Sequence, residues 1–232
     1  DRRWSRNSEN ENRLIELPFH NIYPHLEGVI TTSIGSLSSL KKLDMSNNAL
    51  YGTIPETISN LSMLEELKLS FNDLEGEIPE SIFNLPNLKY MYLFGNNLSG
   101  VIPSVGNGLK LEEILLYKNN LSGSIPSTFE NLNKLVRLYL DNNNISGEIP
   151  VSILKPPLKR LKLTHNQISG IIPNEICNVE GVYLSYNNLS GLIPTCVCDL
   201  LKIEIHNNMF CEDYPDCLTP EEIGLQDTSD CH

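Results

Sequence analysis

The stretch NNLSGLIP, residues 187–194, carries two amides, two Leu, a Gly and an Ile held against a Pro. The chain writes it again and again: NNLSGVIP from Asn96, NNLSGSIP from Asn119, NNNISGEIP from Asn142. Aligned on one amide of each unit, the series is Asn48, Asn72, Asn96, Asn119, Asn143, Asn166, Asn187 and Asn208, at steps of 24, 24, 23, 24, 23, 21 and 21 residues. Eight residues before each Asn stands Leu40, Leu64, Leu88, Leu111, Leu135, Leu158, Val179 or Leu200, and two more apolar residues fall five and three before it. A degenerate unit precedes these at Leu14, Leu17 and Phe19, with about two extra residues around Asn21 to Pro24 before Leu26-x-Gly28-x-Ile30 rejoins the frame. Self-similarity at a period of this length is the mark of a repeat architecture, here of nine units.

Elementary chemistry says what one unit does. Apolar residues two apart, as in Leu67 and Leu69, have the period of a strand with one buried face. The repeated Asn carries a side chain able to satisfy backbone groups left open where that strand turns, and stacked Asn would form a ladder inside the molecule. The recurrent Gly permits backbone shapes closed to other residues. The Ile is expected in the core, and the Pro, with fixed φ and no donor, suits an irregular outer wall. One unit cannot bury its own apolar edge, so neighbours must stack, and nine strands about 4.8 Å apart give a sheet roughly 40 Å across.

The pattern L-x-x-L-x-L-x-x-N-x-L-x-G-x-I-P resembles the leucine-rich repeat family. The L-x-G-x-I-P half, as in Leu74 to Pro79, is similar to its plant-type extracellular class, which includes receptor-like kinase ectodomains and polygalacturonase-inhibiting proteins. The resemblance implies an α/β-type repeat solenoid. This is a right-handed superhelix with a parallel β-sheet on its concave face, few or no regular helices, and capped ends. On that reading residues 1–13 are an N-terminal cap, 14–210 are nine coils, and 211–232 are a cysteine-containing C-terminal cap. Plant members carry a cysteine pair in the N-cap; this chain has none there, and Trp4 is the expected plug over the first coil.

Composition narrows the function classes. The net charge is -12, which argues against a nucleic-acid binder, since phosphate contacts need clustered Lys and Arg. No apolar run is long enough to span a bilayer, so membrane association is expected only if the chain is an ectodomain fragment. Six cysteines, Cys177, Cys196, Cys198, Cys211, Cys217 and Cys231, crowd the last quarter and read as disulfides of an oxidising compartment, hence a secreted or cell-surface protein. Cys177 and Cys198 each lie four residues past a Pro, at equivalent points of adjacent coils, so a bridge between them is expected; pairing of the others is open. A zinc site on Cys196, Cys198, Cys211 and Cys217 is the weaker reading, because C-x-C is not usual ligand spacing. No cofactor motif is present.

Between the strand leucines, side chains must face outward. The middle coils place Tyr90, Tyr92, Phe94, Leu115, Tyr117 and Tyr139 there, beside Arg137, Arg160 and Lys162. Aromatics with Arg are enriched at binding hot spots, and a contiguous apolar patch on a solvent-facing sheet calls for a partner. The bland alternative is cross-strand stacking that stabilises the sheet, since Tyr and Phe favour strands. Tyr183 and Tyr186 form a second, weaker patch. Five sequons, at Asn60, Asn97, Asn120, Asn144 and Asn188, are candidate N-glycosylation sites outside the Asn ladder.

Catalytic signals are thin. His20 and His206 sit at opposite ends of the sheet, His165 reads as a solvated side chain, and Glu112 with Glu113 lacks the second carboxylate a glycosidase needs. Asp141 reads as a polar contact, and neither a phosphate cradle nor a nucleophile elbow is found. The expected function is non-catalytic recognition of a protein or peptide through the concave face. Inhibition of a secreted hydrolase such as a polygalacturonase, or binding of an acidic cell-wall oligosaccharide, are the alternatives. Ice binding ranks low because the outer wall lacks a regular Thr array.

Overall fold

The computed structural model describes residues 3–6, 12–21, 25–155 and 157–229, with side chains from residue 16 onward. The expected roles of Trp4 and the pairing of Cys231 lie outside the described atoms. The L-x-L segments form nine parallel strands in chain order, Asn12–Pro18, Lys42–Asp44, Glu66–Lys68, Tyr90–Tyr92, Glu113–Leu115, Arg137–Tyr139, Arg160–Lys162, Gly181–Tyr183 and Lys202–Glu204. Registers hold coil to coil, as in Glu113↔Arg137↔Arg160↔Gly181. Strand Arg3–Arg6 adds antiparallel to Asn12–Pro18 and covers the first edge. Leu67, Leu69, Leu138 and Leu140 have no exposed surface, so each coil's leucines meet their counterparts in the next and make one continuous core.

Each repeated Asn joins two coils. Asn143 donates through Nδ2 to Leu140 O at 3.0 Å in its own coil and to Leu116 O at 3.1 Å in the one before, while its Oδ1 accepts the Leu121 N–H at 3.0 Å. The same three contacts recur at Asn48, Asn119 and Asn208. Gln226 repeats them too. It donates to Ile223 O and Ile205 O and accepts the Phe210 N–H, which makes it a last rung that the Asn spacing does not reveal.

The outer wall is more regular than the proline argument suggests. The L-x-G segments pair into two further parallel sheets, of four and five strands, bridged at Val101↔Ser122. Gly123 shows why Gly recurs: φ is +72° and an added Cβ would lie 2.9 Å from Val101 of the preceding coil. Beyond the Pro, short 3₁₀ turns follow, as in Glu56–Asn60, Ser127–Asn131 and Asn174–Asn178, because Pro fixes φ at the cap and needs no donor. Seven 3₁₀ turns occur among the described residues, six after a Pro and one, Thr32–Ser36, after Thr31; residues 104–110 of the coil that carries Tyr90 form none. The described residues contain one α-helix, Pro220–Ile223, of four residues.

The disulfides differ from expectation. Cys177 pairs with Cys196, and Cys198 with Cys217, each pair 19 residues apart; Cys211 is disulfide-bonded as well. The expected Cys177–Cys198 bridge fails because equivalent positions in stacked coils point the same way. The fourth residue after one Pro instead meets the second residue after the next: Pro173 and Pro194 set Cys177 against Cys196, and Pro194 and Pro215 set Cys198 against Cys217. Leu218 N–H donates to Pro215 O as Val197 N–H does to Pro194 O, so the repeat geometry persists into residues 215–218. With their sulfurs in disulfides, Cys196, Cys198, Cys211 and Cys217 have no thiolates to offer zinc.

Candidate ligand-binding face

Strand alternation delivers the outward residues of the middle coils to one surface. Tyr92, Phe94, Glu113, Leu115, Tyr117, Arg137, Tyr139, Asp141 and Lys162 line a shallow depression on the concave sheet. Tyr90 lies beside it on the same strand as Tyr92, their ring centroids 6.3 Å apart, and Arg160 borders it next to Arg137 in register. The structure therefore gathers the aromatic and cationic candidates into one surface.

The rings are half-buried and mutually engaged. Phe94 and Tyr117 stack face to face at 4.3 Å and 9° between planes, and Phe71 meets Phe94 edge-on at 5.1 Å. Glu113 ties three consecutive coils together: its carboxylate accepts from Tyr92 Oη of the preceding coil at 2.6 Å and from Arg137 of the following one at 2.7 Å. Burial, and then the Glu113 carboxylate, push the Tyr92 hydroxyl well above the ordinary tyrosine range, so it stays a donor at any physiological pH. Tyr90 donates to Glu112 at 3.1 Å, and that carboxylate, followed by burial, raises its pKa. Lys162 Nζ sits 4.8 Å above the rings of both Tyr139 and Tyr183, a cation held between two π-faces. Among the described residues no carboxylate lies within ion-pair distance of Arg160 or Lys162, whereas Arg137 is paired with Glu113 and Lys202 with Glu204.

Asp141 lies at the floor of the depression. Its Oδ1 is buried without a hydrogen-bond partner, and its Oδ2 accepts from Asn142 at 3.0 Å. Burial raises its pKa above the usual carboxylate value.

One rim of the face escaped the sequence reading. The residue before each ladder Asn has positive φ, which suits Asn47, Gly95, Asn142 and Asn207 but not Phe71, Lys118, His165 or Tyr186, at φ +53° to +57°. Tyr186 therefore leaves the concave column and joins this rim, stacked on His165 at 4.1 Å and edge-on to His206 at 5.1 Å, apart from Tyr183. The detectable signal was a bulky residue where the repeat prefers Asn or Gly. His20 stands at the other end of the sheet, 3.7 Å from an Asp44 carboxylate oxygen.

Models of the leucine rich repeat match residues 25–74 and 38–98, then 110–132, 134–155, 157–179 and 178–200. The chain belongs to the leucine-rich repeat family. Among solved structures this leucine-rich repeat protein is similar to the plant peptide hormone receptor RGFR1 in complex with RGF2, with 36% identity over 85% of this chain and 32% of that one and a TM-score of 0.80. It is similar as well to the ectodomain of the membrane receptor kinase GASSHO1/SCHENGEN3 from Arabidopsis thaliana, in complex with CASPARIAN STRIP INTEGRITY FACTOR 2: 34% identity, 85% and 24% coverage, TM-score 0.80. A plant ice-binding protein shares 29% identity over 90% of this chain and 71% of its own, with a TM-score of 0.78. The chain spans about a third or less of the two receptors it matches. No curated protein sequence matches it.

Proposed function

We propose that this leucine-rich repeat chain is an extracellular recognition module that binds a peptide or protein across Tyr90, Tyr92, Phe94, Leu115, Tyr117 and Tyr139, with Arg137, Arg160 and Lys162 along one side. The observation that carries the reading is the shared network of the depression. Tyr92 and Arg137 converge on Glu113, and Phe94 is locked on Tyr117, so the surface is formed before any ligand arrives. A preformed face gives up little side-chain entropy on binding. Arg160 and Lys162, with no carboxylate within ion-pair distance among the described residues, offer charge-assisted contacts to acidic groups of the ligand. Similarity to a plant peptide hormone receptor solved in complex with RGF2 supports the ligand class, and disulfides support the compartment. No catalytic step is assigned.

The test compares wild type with a Tyr92→Ala, Tyr117→Ala, Tyr139→Ala variant as baits for extracellular peptides and proteins of the source tissue, after both show equal thermal midpoints. A peptide or protein kept by wild type and lost by the variant supports the proposal. Equal retention moves the site off this face. A hydrolase or an acidic oligosaccharide as the retained partner favours the inhibitor or cell-wall readings instead. Early unfolding of the variant means that the rings serve mainly to hold the sheet together.

A further inference from the structure

On the outer wall one residue stands between the Gly and the Ile of each coil, and its side chain leans across the Gly of the next. A Cβ built on Gly170 would lie 2.9 Å from Glu148 Cγ, and one built on Gly191 would lie 3.0 Å from Ile171 Cγ2. Glu148 is therefore seated beside Ile171, and Ile171 beside Leu192. Counted from the ladder Asn208, Asp213 takes the next station in the row.

Two consecutive aliphatics in this row face water. Ile171 is 63% exposed and Leu192 69%. With Pro194 and the buried Ile172 and Ile193 they line a shallow groove of about 470 Å³. Val101 of the same row is exposed too, but it stands between Glu77 and Ser124, and a single exposed aliphatic needs no explanation. An adjoining pair over a groove marks a surface that another molecule covers.

The surrounding charge says which kind of molecule. Residues 144–154, 167–180 and 188–199, the outer segments of these three coils, include Glu148, Glu175, Glu180 and Asp199 and no Lys or Arg. Glu180 is paired with Lys159 at 3.0 Å, whereas among the described residues the exposed Glu148 and Asp213 have no ion-pair partner. The row thus reads acid, aliphatic, aliphatic, acid. A second copy of this chain, at net charge -12, would bring acid against acid here, so the complement is a basic partner.

We infer that the Ile171–Leu192 groove docks an extended basic segment of a partner protein, one that presents a single aliphatic side chain between two Lys or Arg. Glu148 to Asp213 is three coil steps, about 14 Å at roughly 4.8 Å per step, which an extended chain covers in about four residues of ~3.3 Å. Alternate side chains of such a chain face one way. The matching segment is therefore Lys/Arg-x-Leu-x-Lys/Arg, with its Leu seated between Ile171 and Leu192 and its bases on Glu148 and Asp213. The site uses no residue of the concave face and stands apart from the ligand proposed for that face.

The probe is the peptide acetyl-Gly-Lys-Thr-Leu-Thr-Lys-Gly-amide, titrated into the oxidised full chain with amide NMR shifts as readout. One control peptide replaces Leu by Ser, and another replaces both Lys by Glu. Shifts should centre on Ile171 and Leu192, the Leu peptide should bind at least about fivefold more tightly than the Ser peptide, and the Glu peptide should leave the spectrum unchanged. Ile171→Ser/Leu192→Ser should abolish the advantage of Leu, and Glu148→Gln/Asp213→Asn should remove most of the weakening between about 0.02 and 0.2 M salt. Absence of shifts at both residues, shifts centred on the concave strands, or equal affinity for the Leu and Ser peptides overturns the inference. So does free protein that sediments as a dimer and becomes monomeric in the Ile171→Ser/Leu192→Ser variant, because a second copy would then fill the groove. The peptide comparison needs only wild type, so it decides the matter even if a variant folds poorly.

Discussion

Two adjacent asparagines allow the ladder to be tested against a control in the same coil. Asn143 is 9% exposed and bonded to four backbone groups, the weakest being Asp141 O at 3.4 Å, whereas Asn144 is exposed. Replacing Asn143 with Ala removes three short hydrogen bonds and the long one to Asp141 O, but the losses are unequal. Leu116 O keeps a donor in Asn119 and Leu140 O keeps one in Asn166. The Leu121 N–H keeps nothing, because Asn143 Oδ1 is its acceptor. An orphaned buried donor costs about 1–3 kcal/mol, and each of the other two short bonds contributes about 0.5–1.5 kcal/mol net, so the total is about 2–6 kcal/mol. Asn144→Ala should change stability by no more than about 0.5 kcal/mol. Urea unfolding of oxidised, unglycosylated protein, followed by circular dichroism, measures both, and hydrogen exchange at the Leu121 amide shows whether the loss is local. Asn143→Asp separates the roles: it retains an acceptor for Leu121 but turns an oxygen toward two carbonyls, and should be at least as damaging as Ala near neutral pH. If Asn143→Ala and Asn144→Ala fall within about 0.5 kcal/mol of each other, the ladder is not what holds the coils together and the reasoning is wrong.

Three other expectations concern the outer wall, the disulfide and the buried carboxylate. Gly123→Ala should destabilise by about 1–2 kcal/mol from its left-handed backbone alone, with a further cost from Val101 that a Val101→Ala background removes; urea midpoints of the four proteins in that cycle separate the two. Replacing Cys177 and Cys196 together with Ala should cost roughly 3 kcal/mol, the loop-closure value for a separation of 19 residues, read as a lower thermal midpoint under non-reducing conditions. Asp141 has a folded-state pKa raised by burial, so its ionisation opposes folding: the penalty is absent below the unfolded carboxylate value and grows as pH rises through that value to the raised one. Asp141→Asn should therefore raise the unfolding midpoint at pH 7 and lose that advantage at pH 3; an equal effect at both would refute it.

The scaffold was readable because its chemistry is strictly periodic. Leu67 and Leu69 had to share a face, and Asn72 had to find backbone partners where the strand turned, whatever the neighbours were. The outward column was equally readable, since alternation forces Tyr92 and Tyr139 away from Met91 and Leu138. What those rings do was not. The Phe94–Tyr117 stack and the Glu113 bridge depend on side-chain orientation across coils, which spacing along one strand leaves undetermined. Gln226 was hidden for a different reason: one extra methylene and a shorter step of 18 residues from Asn208 remove it from the Asn pattern although its amide fills the same role. The disulfide pairing required the direction in which each outer-wall residue points, and counting from the Pro gives equivalence without direction.

The cysteine register has a use beyond the coils that employ it. A position four residues after one Pro faces a position two residues after the next, and that geometry comes from the repeat itself. Glu130, four past Pro126, and Ser152, two past Pro150, occupy those stations in the middle of the solenoid and line one small hollow together. The outer wall thus presents ready-made attachment points for covalent stapling, placed behind the strands that display Leu115 and Tyr139. An engineer could lock the curvature of the solenoid there without touching a residue of the concave surface.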